Sequence, residues 1–276
     1  MICPFCKSQK ISKKIKIYSE ILKKDVYYCI CKSCRSINQD TIPTRKEIKN
    51  YYESYIEIKN EMNPGYLNDN QLKPFFEERD KTLKEIGFSP ELIEKGSNVE
   101  LGCANGQFLK YLKKNSAKYI TGIDISEKLI NSINIDNINL IVGDFTNLKD
   151  STVDNLYMFN VLEHLDNIDD TMRQILRITR EKSNIIIEIP VSGAISCFFN
   201  KKWRFLMPDE HLHIPSIKGL KKLLSSYSLE ITGFTRFGSG FTTGMINNKL
   251  KQLFDFSAKR LKFGDRGAFL IKKKKK

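Results

Sequence analysis

The sequence predicts an α/β protein in which a doubly wound sheet follows a small cysteine-rich module. Strand-like and helix-like segments alternate between residues 98 and 190, and the strands are short apolar runs. Such strands are typical of a parallel sheet that is covered on both faces. Two C-x-x-C pairs precede this region and indicate a separate module. We therefore expect units at 1–43, 44–95 and 96–276.

The composition is that of an ordinary globular chain with an excess of positive charge. The chain has 276 residues, of which 41% are hydrophobic and 28% charged, and its formal net charge is +14. No apolar run approaches the roughly 18 to 20 residues that span a bilayer, and the N-terminus has no targeting signal, so we expect a cytoplasmic protein. The charge favours a nucleic-acid partner only weakly, because the lysines at 272–276 contribute part of it.

Four of the seven cysteines form two C-x-x-C pairs, Cys3/Cys6 and Cys31/Cys34. In a reducing cytosol such pairs are typical of tetrahedral zinc rather than of disulfides. Apolar residues between the pairs predict short strands, so 1–43 is expected to form a zinc ribbon. A module this small would take most of its folding free energy from the metal. The alternative is a set of four unrelated buried cysteines.

The remaining elements follow from hydrophobic periodicity and capping residues. A helical lead-in is predicted at 45–59 and 74–86. The main domain is then expected to contain strands at 98–101, 119–124, 139–142, 155–159 and 184–189, with helices at 106–114, 126–135 and 169–179. A helix after residue 216, a strand at 229–234, a basic amphipathic helix at 246–261 and an antiparallel strand at 267–271 complete the prediction.

The segment 99–106 has the composition of a ligand-binding loop between a strand and a helix. Small residues at Gly102, Ala104 and Gly106 allow the backbone to approach a ligand. The spacing differs from the G-x-G-x-x-G of dinucleotide-binding enzymes, so NAD is disfavoured. Ala104 stands where glycine is commoner, and we expect this change to be sterically mild.

With these motifs in order, residues 98–190 resemble the core of class I S-adenosylmethionine (SAM)-dependent methyltransferases, a Rossmann-like family whose loop is E-x-G-x-(G/A)-x-G. The resemblance implies an enzyme that converts SAM to S-adenosylhomocysteine. It implies that Asp124 bonds the ribose hydroxyls, that Asp144 lies near the adenine amino group, and that Asn160 lies beside the methionine moiety. Each acid alone could equally be a cap or turn residue. The implied cofactor-binding set is Glu100, Gly102, Cys103, Ala104, Gly106, Asp124, Ile125, Asp144, Phe145 and Asn160.

The three histidines all follow the predicted fourth and fifth strands, on the acceptor side of this crevice. A histidine near neutrality can accept a proton as a methyl group is transferred. His211 is the first candidate base, with His213 in reserve and Glu210 and His164 completing the candidate catalytic set. The alternatives are that one of His211 and His213 only braces the helix after residue 216, and that His164 is structural.

The segment 197–208 interleaves aromatic and basic residues. Its aromatic side chains are expected to form the buried underside of a lid, from which Lys201, Lys202 and Arg204 could meet a phosphate group. The sequence therefore predicts a small, negatively charged acceptor.

The zinc ribbon and the segment 211–216 resemble bacterial methyltransferases that act on sugars or nucleotide-linked precursors of surface polysaccharides. The resemblance implies O-methylation of a sugar-type acceptor. One alternative is an rRNA or tRNA base methyltransferase, although the fourth motif lacks the N/D-P-P-Y sequence of amino-nitrogen methylation. The other is a non-catalytic zinc-ribbon interaction protein that binds SAM without consuming it.

Overall fold

The fold is given by a computed structural model that describes residues 1–53 and 72–274. It consists of a four-stranded sheet and a seven-stranded sheet together with the helices that flank them. This confirms the predicted α/β class with a central, mostly parallel sheet. Within these two ranges, no helix has the length and apolar character that crossing a bilayer requires.

The smaller sheet belongs mainly to the cysteine-rich module. Three of its strands are β1 (Ile11–Ser19), β2 (Lys24–Cys31) and β3 (Ile37–Gln39), each antiparallel to the next. The fourth, β9 (His213–Ile214), comes from much later in the chain and pairs with β3. The sheet of the module thus takes one strand from beyond the unit boundary expected at residue 43.

Six strands of the larger sheet run in one direction, and one strand runs in the opposite direction. Its strands are β4 (Ser97–Leu101), β5 (Tyr119–Asp124), β6 (Asn139–Val142), β7 (Val153–Phe159), β8 (Thr179–Pro190), β10 (Leu229–Phe237) and β11 (Arg266–Lys273). The strand order is β10-β11-β8-β7-β4-β5-β6, and β11 is antiparallel to both of its neighbours. The predicted final antiparallel strand is therefore confirmed.

The helices begin largely where polar side chains can cap them. They are α1 (Arg45–Glu53), α2 (Leu72–Glu85), α3 (Glu91–Lys95), α4 (Gln107–Lys114), α5 (Glu127–Ser132), α6 (Ile168–Ile178), α7 (Ala194–Phe199), α8 (Ile217–Ser226) and α9 (Asn248–Arg260). Ser126 accepts a hydrogen bond from the Leu129 N–H, and Ser216 from the Gly219 N–H. These bonds satisfy amides that have no partner inside the first helical turn.

Three elements were not predicted, namely α3, α7 and β9, and one predicted helix is shorter than expected. Helix α3 begins directly after Pro90, because a proline can start a helix as readily as end one. Strand β9 has only two residues and depends on its pairing with β3. Helix α5 ends at Ser132 instead of residue 135. The last six residues of the helix predicted at 45–59 lie outside the described ranges.

The module packs directly on the main domain through α8. A side chain at Gly219 would lie 2.1 Å from Ser36 Oγ and 3.4 Å from Cys34 Sγ, so glycine is required for this close approach. The hydroxyl of Ser216 donates to the carbonyl oxygen of Cys34. One buried apolar cluster contains both Cys34 and Leu220 of α8. The module and the main domain therefore share a core.

A largely buried ion triad joins strands β8 and β11 of the larger sheet to helix α2. The carboxylate of Glu188, near the carboxyl end of β8, accepts a hydrogen bond from Arg79 of α2 at 2.7 Å and another from Arg266 of β11. Burial alone would raise the pKa of the Glu188 carboxyl, but the two arginine charges outweigh it and lower this pKa to about 2. The triad is favourable only while the carboxylate is ionised.

We expect Glu188→Gln to lower the free energy of unfolding at pH 7 by about 3 to 5 kcal/mol, because two guanidinium groups lose their buried counter-charge. The pKa of Glu188 is lowered in the folded state, so its contribution is complete above pH 4.5 and is lost as the pH falls toward 2. Urea unfolding of both proteins at several pH values measures the difference.

The matched control is Glu20→Gln, which removes a carboxylate from an ion pair with Lys23 whose two side chains are largely exposed. This change should leave the urea midpoint nearly unchanged. Equal destabilisation by the two variants, or a difference between wild type and Glu188→Gln that persists at pH 2, would contradict the proposed role of the triad.

Candidate functional site

A cavity of about 700 Å³ opens at the carboxyl ends of the parallel strands. The loops after β4, β5, β6 and β7 form one wall, to which they contribute Gly102, Asp124, Asp144 and Asn160. This is the edge at which doubly wound sheets bind their ligands, and the volume lies in the usual range of small-molecule sites, roughly 300 to 1,000 Å³. Four successive predicted motifs therefore meet at one site.

The backbone of the glycine loop is held in left-handed conformations. Gly102 has a φ of +71°, and a Cβ atom there would lie 2.5 Å from Val161 Cγ2. Ala104 has a φ of +46°, which costs a residue with a side chain about 1 to 2 kcal/mol. Alanine at this position therefore carries a backbone strain that the expectation of a sterically mild change did not include, since the strain comes from φ.

The two acids of the cofactor prediction also brace their own loops. Asp124 accepts hydrogen bonds from the N–H of Ala104 and the N–H of Ser126, both at 3.0 Å. Asp144 caps a short 3₁₀ helix by accepting from the Thr146 N–H at 2.8 Å. Both acids line the cavity, so the bracing and a role at the ligand are compatible.

Three residues of the predicted cofactor set lie behind the cavity wall. Glu100, Cys103 and Gly106 do not line it, whereas the other seven do. Glu100 is fully buried, and burial, with the nearby Asp124 charge as a second cause, raises the pKa of its carboxyl. Gly106 has a φ of +75° at the start of α4, next to Ile133. These residues shape the loop rather than face a ligand.

His211 and His164 stand together at the other end of the cavity, with ring centroids 4.9 Å apart. Nδ1 of His211 lies 2.9 Å from the carbonyl oxygen of Phe205. A carbonyl can only accept, so Nδ1 carries the proton and Nε2 holds the lone pair in the neutral ring. Behind His164, burial raises the pKa of the Glu163 carboxyl to about 8.

Tyr51 is a site residue that the sequence did not reveal. Its hydroxyl donates to Glu210 Oε1 at 2.8 Å, and Glu210 lines the cavity beside His211. Burial and the Glu210 carboxylate raise the pKa of this hydroxyl, so it remains a donor. A tyrosine in a predicted lead-in helix, about 160 positions from its partner, has no local signal of this role.

His213, the reserve base, does not line the cavity. It lies in β9 and is buried between the module and the main domain, and burial lowers the pKa of its ring to about 4. The structure therefore separates the two histidines of the predicted cluster. His211 turns to the cavity, and His213 is part of the ribbon sheet.

The predicted phosphate-binding lid is not found at the cavity. Lys201, Lys202 and Arg204 do not line it, and Arg204 is paired with the buried Asp265 at 2.8 Å. Among the described residues, Arg266 is the one Lys or Arg side chain in the lining, and it is bound to Glu188. The acids in the same lining are Asp124, Asp144, Asp166, Asp170 and Glu210. The residues of the lining therefore give no support to the expectation of an anionic acceptor.

The four cysteines of the C-x-x-C pairs converge on one point. Sγ of Cys3 lies 3.6 Å from Sγ of Cys34, and Sγ of Cys6 lies 3.5 Å from Sγ of Cys31. All four sulfur atoms are within 4.8 Å of one another, and none is in a disulfide. This arrangement is compatible with a tetrahedral metal site.

A family model described as a methyltransferase domain matches residues 75–232, which is more than half of the chain. The chain belongs to this methyltransferase family. It is an enzyme of the SAM-dependent class, as the glycine loop and the strand-end residues predicted. No curated protein sequence matches the methyltransferase significantly.

Several solved structures share the fold of the methyltransferase at low identity. The [4+2]-cyclase SpnF is 15% identical with a TM-score of 0.58, and the match covers 84% of this chain and 98% of SpnF. A SAM-dependent methyltransferase of Thermotoga maritima is 17% identical with a TM-score of 0.55, covering 82% and 100% of the two chains.

A third match is a chain in the Haloferax volcanii complex that contains the Trm112 methyltransferase activator, at 13% identity and a TM-score of 0.54, with 83% and 98% covered. At these identities the likeness shows the fold alone. A cyclase among the matches illustrates that one fold supports different reactions. The assignment of methyl transfer therefore depends on the family match.

We expect Asp124→Ala to weaken binding of S-adenosylhomocysteine by about 2 kcal/mol or more, because a charged acceptor and the brace of the glycine loop are lost together. Titration calorimetry measures the affinity. The control is Asp136→Ala, an exposed acid that does not line the cavity and should leave the affinity unchanged. Unaltered binding by folded Asp124→Ala would mean that the cofactor lies elsewhere.

Proposed function

We propose that the methyltransferase O-methylates a small, uncharged sugar-type acceptor, with His211 as the base. The observation that carries the proposal is the orientation of His211, whose ring faces the cavity and is fixed by the Phe205 carbonyl. The fixed tautomer leaves Nε2 as the proton acceptor. The sequence pattern indicated the same residue, but from its position along the chain alone.

The cofactor is proposed to lie along the wall formed by the glycine loop. SAM supplies a methyl group on a positively charged sulfur when it is bound. Asp124 would accept from the ribose hydroxyls, Asp144 and Phe145 would border the adenine, and Asn160 would lie next to the methionine end. The acidic lining suits this cofactor because its sulfonium and amino groups are cationic.

The acceptor would occupy the end of the cavity between His211 and Glu210. Nε2 of His211 would take the hydroxyl proton as the acceptor oxygen bonds to the methyl carbon and the carbon–sulfur bond breaks. Glu210, held by Tyr51, would accept from a neighbouring hydroxyl of the sugar. A phosphate in this end would meet carboxylates, so the group that enters is proposed to be neutral. The proposal includes a role in surface-polysaccharide synthesis. This part is supported only by the sequence resemblance to bacterial sugar methyltransferases.

Transfer of labelled methyl from SAM to a panel of neutral sugars, sugar phosphates, nucleotide sugars and total RNA tests the proposal. We expect neutral sugar rings to be labelled, and His211→Ala to reduce turnover by about 10² to 10⁴-fold. Affinity for S-adenosylhomocysteine should stay unchanged, because the base acts on the acceptor.

Lys202→Ala, at an exposed position outside the cavity, is the control and should retain full turnover on soluble acceptors. Unchanged turnover of His211→Ala would exclude this histidine as the base. Label that appears only in RNA, and that nuclease removes, would establish the base-methyltransferase alternative instead. SAM that binds but is never consumed would support the alternative of a non-catalytic SAM-binding protein.

We also propose that Cys3, Cys6, Cys31 and Cys34 bind one structural zinc ion. The convergence of four thiols with no disulfide supports this, as does Asn38, whose side-chain amide donates to Cys3 Sγ at 3.7 Å. Bonds from side chains to thiolate sulfurs orient metal ligands. The ion would hold the two turns of the ribbon together.

Cys31→Ser should abolish the one equivalent of zinc per chain that metal analysis of the wild type is expected to find. Turnover should fall more than cofactor affinity, because the ribbon holds the backbone of His211 through the Tyr28 hydroxyl at 2.7 Å. Cys197→Ser, at an exposed cysteine outside the cluster, is the control. Freshly purified wild type without metal would refute the site.

A further inference from the structure

Two sequence features remain outside the cavity: the aromatic and basic segment 197–208 and the basic helix predicted at 246–261. The helix is α9, and its apolar side chains face outward. Its inward side carries Ala258 and the ion pair between Lys251 and Asp255, 2.6 Å long. A surface helix of a globular protein normally has the opposite arrangement. Its apolar face therefore lacks a cover in the described chain.

The outward residues of α9 continue into the first segment through aromatic contacts. Ring centroids lie 5.2 Å apart between Phe254 and Phe241, and 5.1 Å apart both between Phe241 and Phe199 and between Phe199 and Phe198. Phe198, Phe256 and Leu253 are 77%, 61% and 58% exposed. We call this set the apolar ridge: Phe198, Phe199, Phe241, Leu250, Leu253, Phe254, Phe256 and Leu261.

The ridge is bordered by cations. Residues 194–207 and 239–265 contain eight lysines and arginines but only two acids. Both acids point inward, since Asp255 pairs with Lys251 and Asp265 with Arg204. The exposed cations are Lys201, Lys202, Lys249, Arg260 and Lys262. The surface thus combines large apolar side chains with positive charge.

We propose that the apolar ridge and its cations bind the surface of an anionic lipid bilayer, with α9 lying in the interface. Apolar side chains enter the boundary between headgroups and acyl chains, while lysine and arginine contact the lipid phosphates. A second copy of the chain fits this surface less well, because a twofold axis would place the cations of the two copies next to each other. Nucleic acid would match the charge but not cover the leucines and phenylalanines.

The surface adjoins the cavity. Phe205 and Met207 line the cavity a few residues after Lys202, and Arg266 lines it six residues after the end of α9. Phe199 of the ridge and Phe205 of the cavity wall pack against the same apolar cluster, so the two surfaces are neighbours in the fold. A bilayer bound there would lie beside the end of the molecule at which the acceptor enters.

Sedimentation of the full chain with vesicles tests the proposal. We expect binding to vesicles of phosphatidylglycerol and phosphatidylcholine in about equal parts, and little binding to phosphatidylcholine alone. The double variant L253E/F256E should lower the partition coefficient at least about tenfold, and K249E/R260E should lower it for the anionic vesicles. The variants should fold, because all four side chains are exposed.

Tyr119→Glu is the matched control, since Tyr119 is 68% exposed and lies at the opposite end of the parallel strands. It should bind vesicles as the wild type does. Failure of the wild type to bind anionic vesicles, or unchanged binding by L253E/F256E, would overturn the proposal. A wild-type dimer that L253E/F256E converts to monomers, without vesicle binding, would overturn it in favour of self-association.

Discussion

The ion triad centred on Glu188 links the sheet, the lead-in helix and the cavity. Its carboxylate binds Arg79 and Arg266, and its carbonyl oxygen accepts from the Asn160 N–H at 2.7 Å. Arg266 and Asn160 both line the cavity. The side chain of Glu188, near the carboxyl end of β8, therefore ties β11 to β8, while its backbone carbonyl helps to position the fourth motif. Since removing one member leaves buried charge uncompensated, these elements must assemble together.

The cysteine-rich module braces the chain segment that carries Glu210 and His211, although none of its own residues lines the cavity. The Asp209 carboxylate binds the Ser19 hydroxyl and the Ile21 N–H, and the Tyr28 hydroxyl binds the carbonyl of His211. The same stretch of chain continues into β9, which completes the ribbon sheet. In the proposed mechanism His211 must be held within a fraction of an ångström to act, so a rigid module bound to its backbone has a clear physical use.

The larger elements and the cofactor loops could be predicted because their signals are local. A strand that is buried on both faces must be apolar, and a strand end that meets a ligand needs small residues or acids there. Two of the failures are cases in which position along the chain was taken for direction in space. Lys201 and Lys202 were expected to face the acceptor, but they border the apolar ridge. His211 and His213 were treated as one cluster, but the chain turns between them.

By itself, the sequence determined the α/β class, the order of the strands along the chain, the convergence of four cysteines and the glycine loop of a SAM-dependent methyltransferase. These depend on periodicity and spacing, which the backbone converts directly into geometry. Only the tertiary structure decided that Tyr51 meets Glu210, that the ribbon takes a strand from residues 213–214, and that the cavity is acidic. Such contacts join residues more than 150 positions apart, and their free energy depends on distances that no local pattern contains.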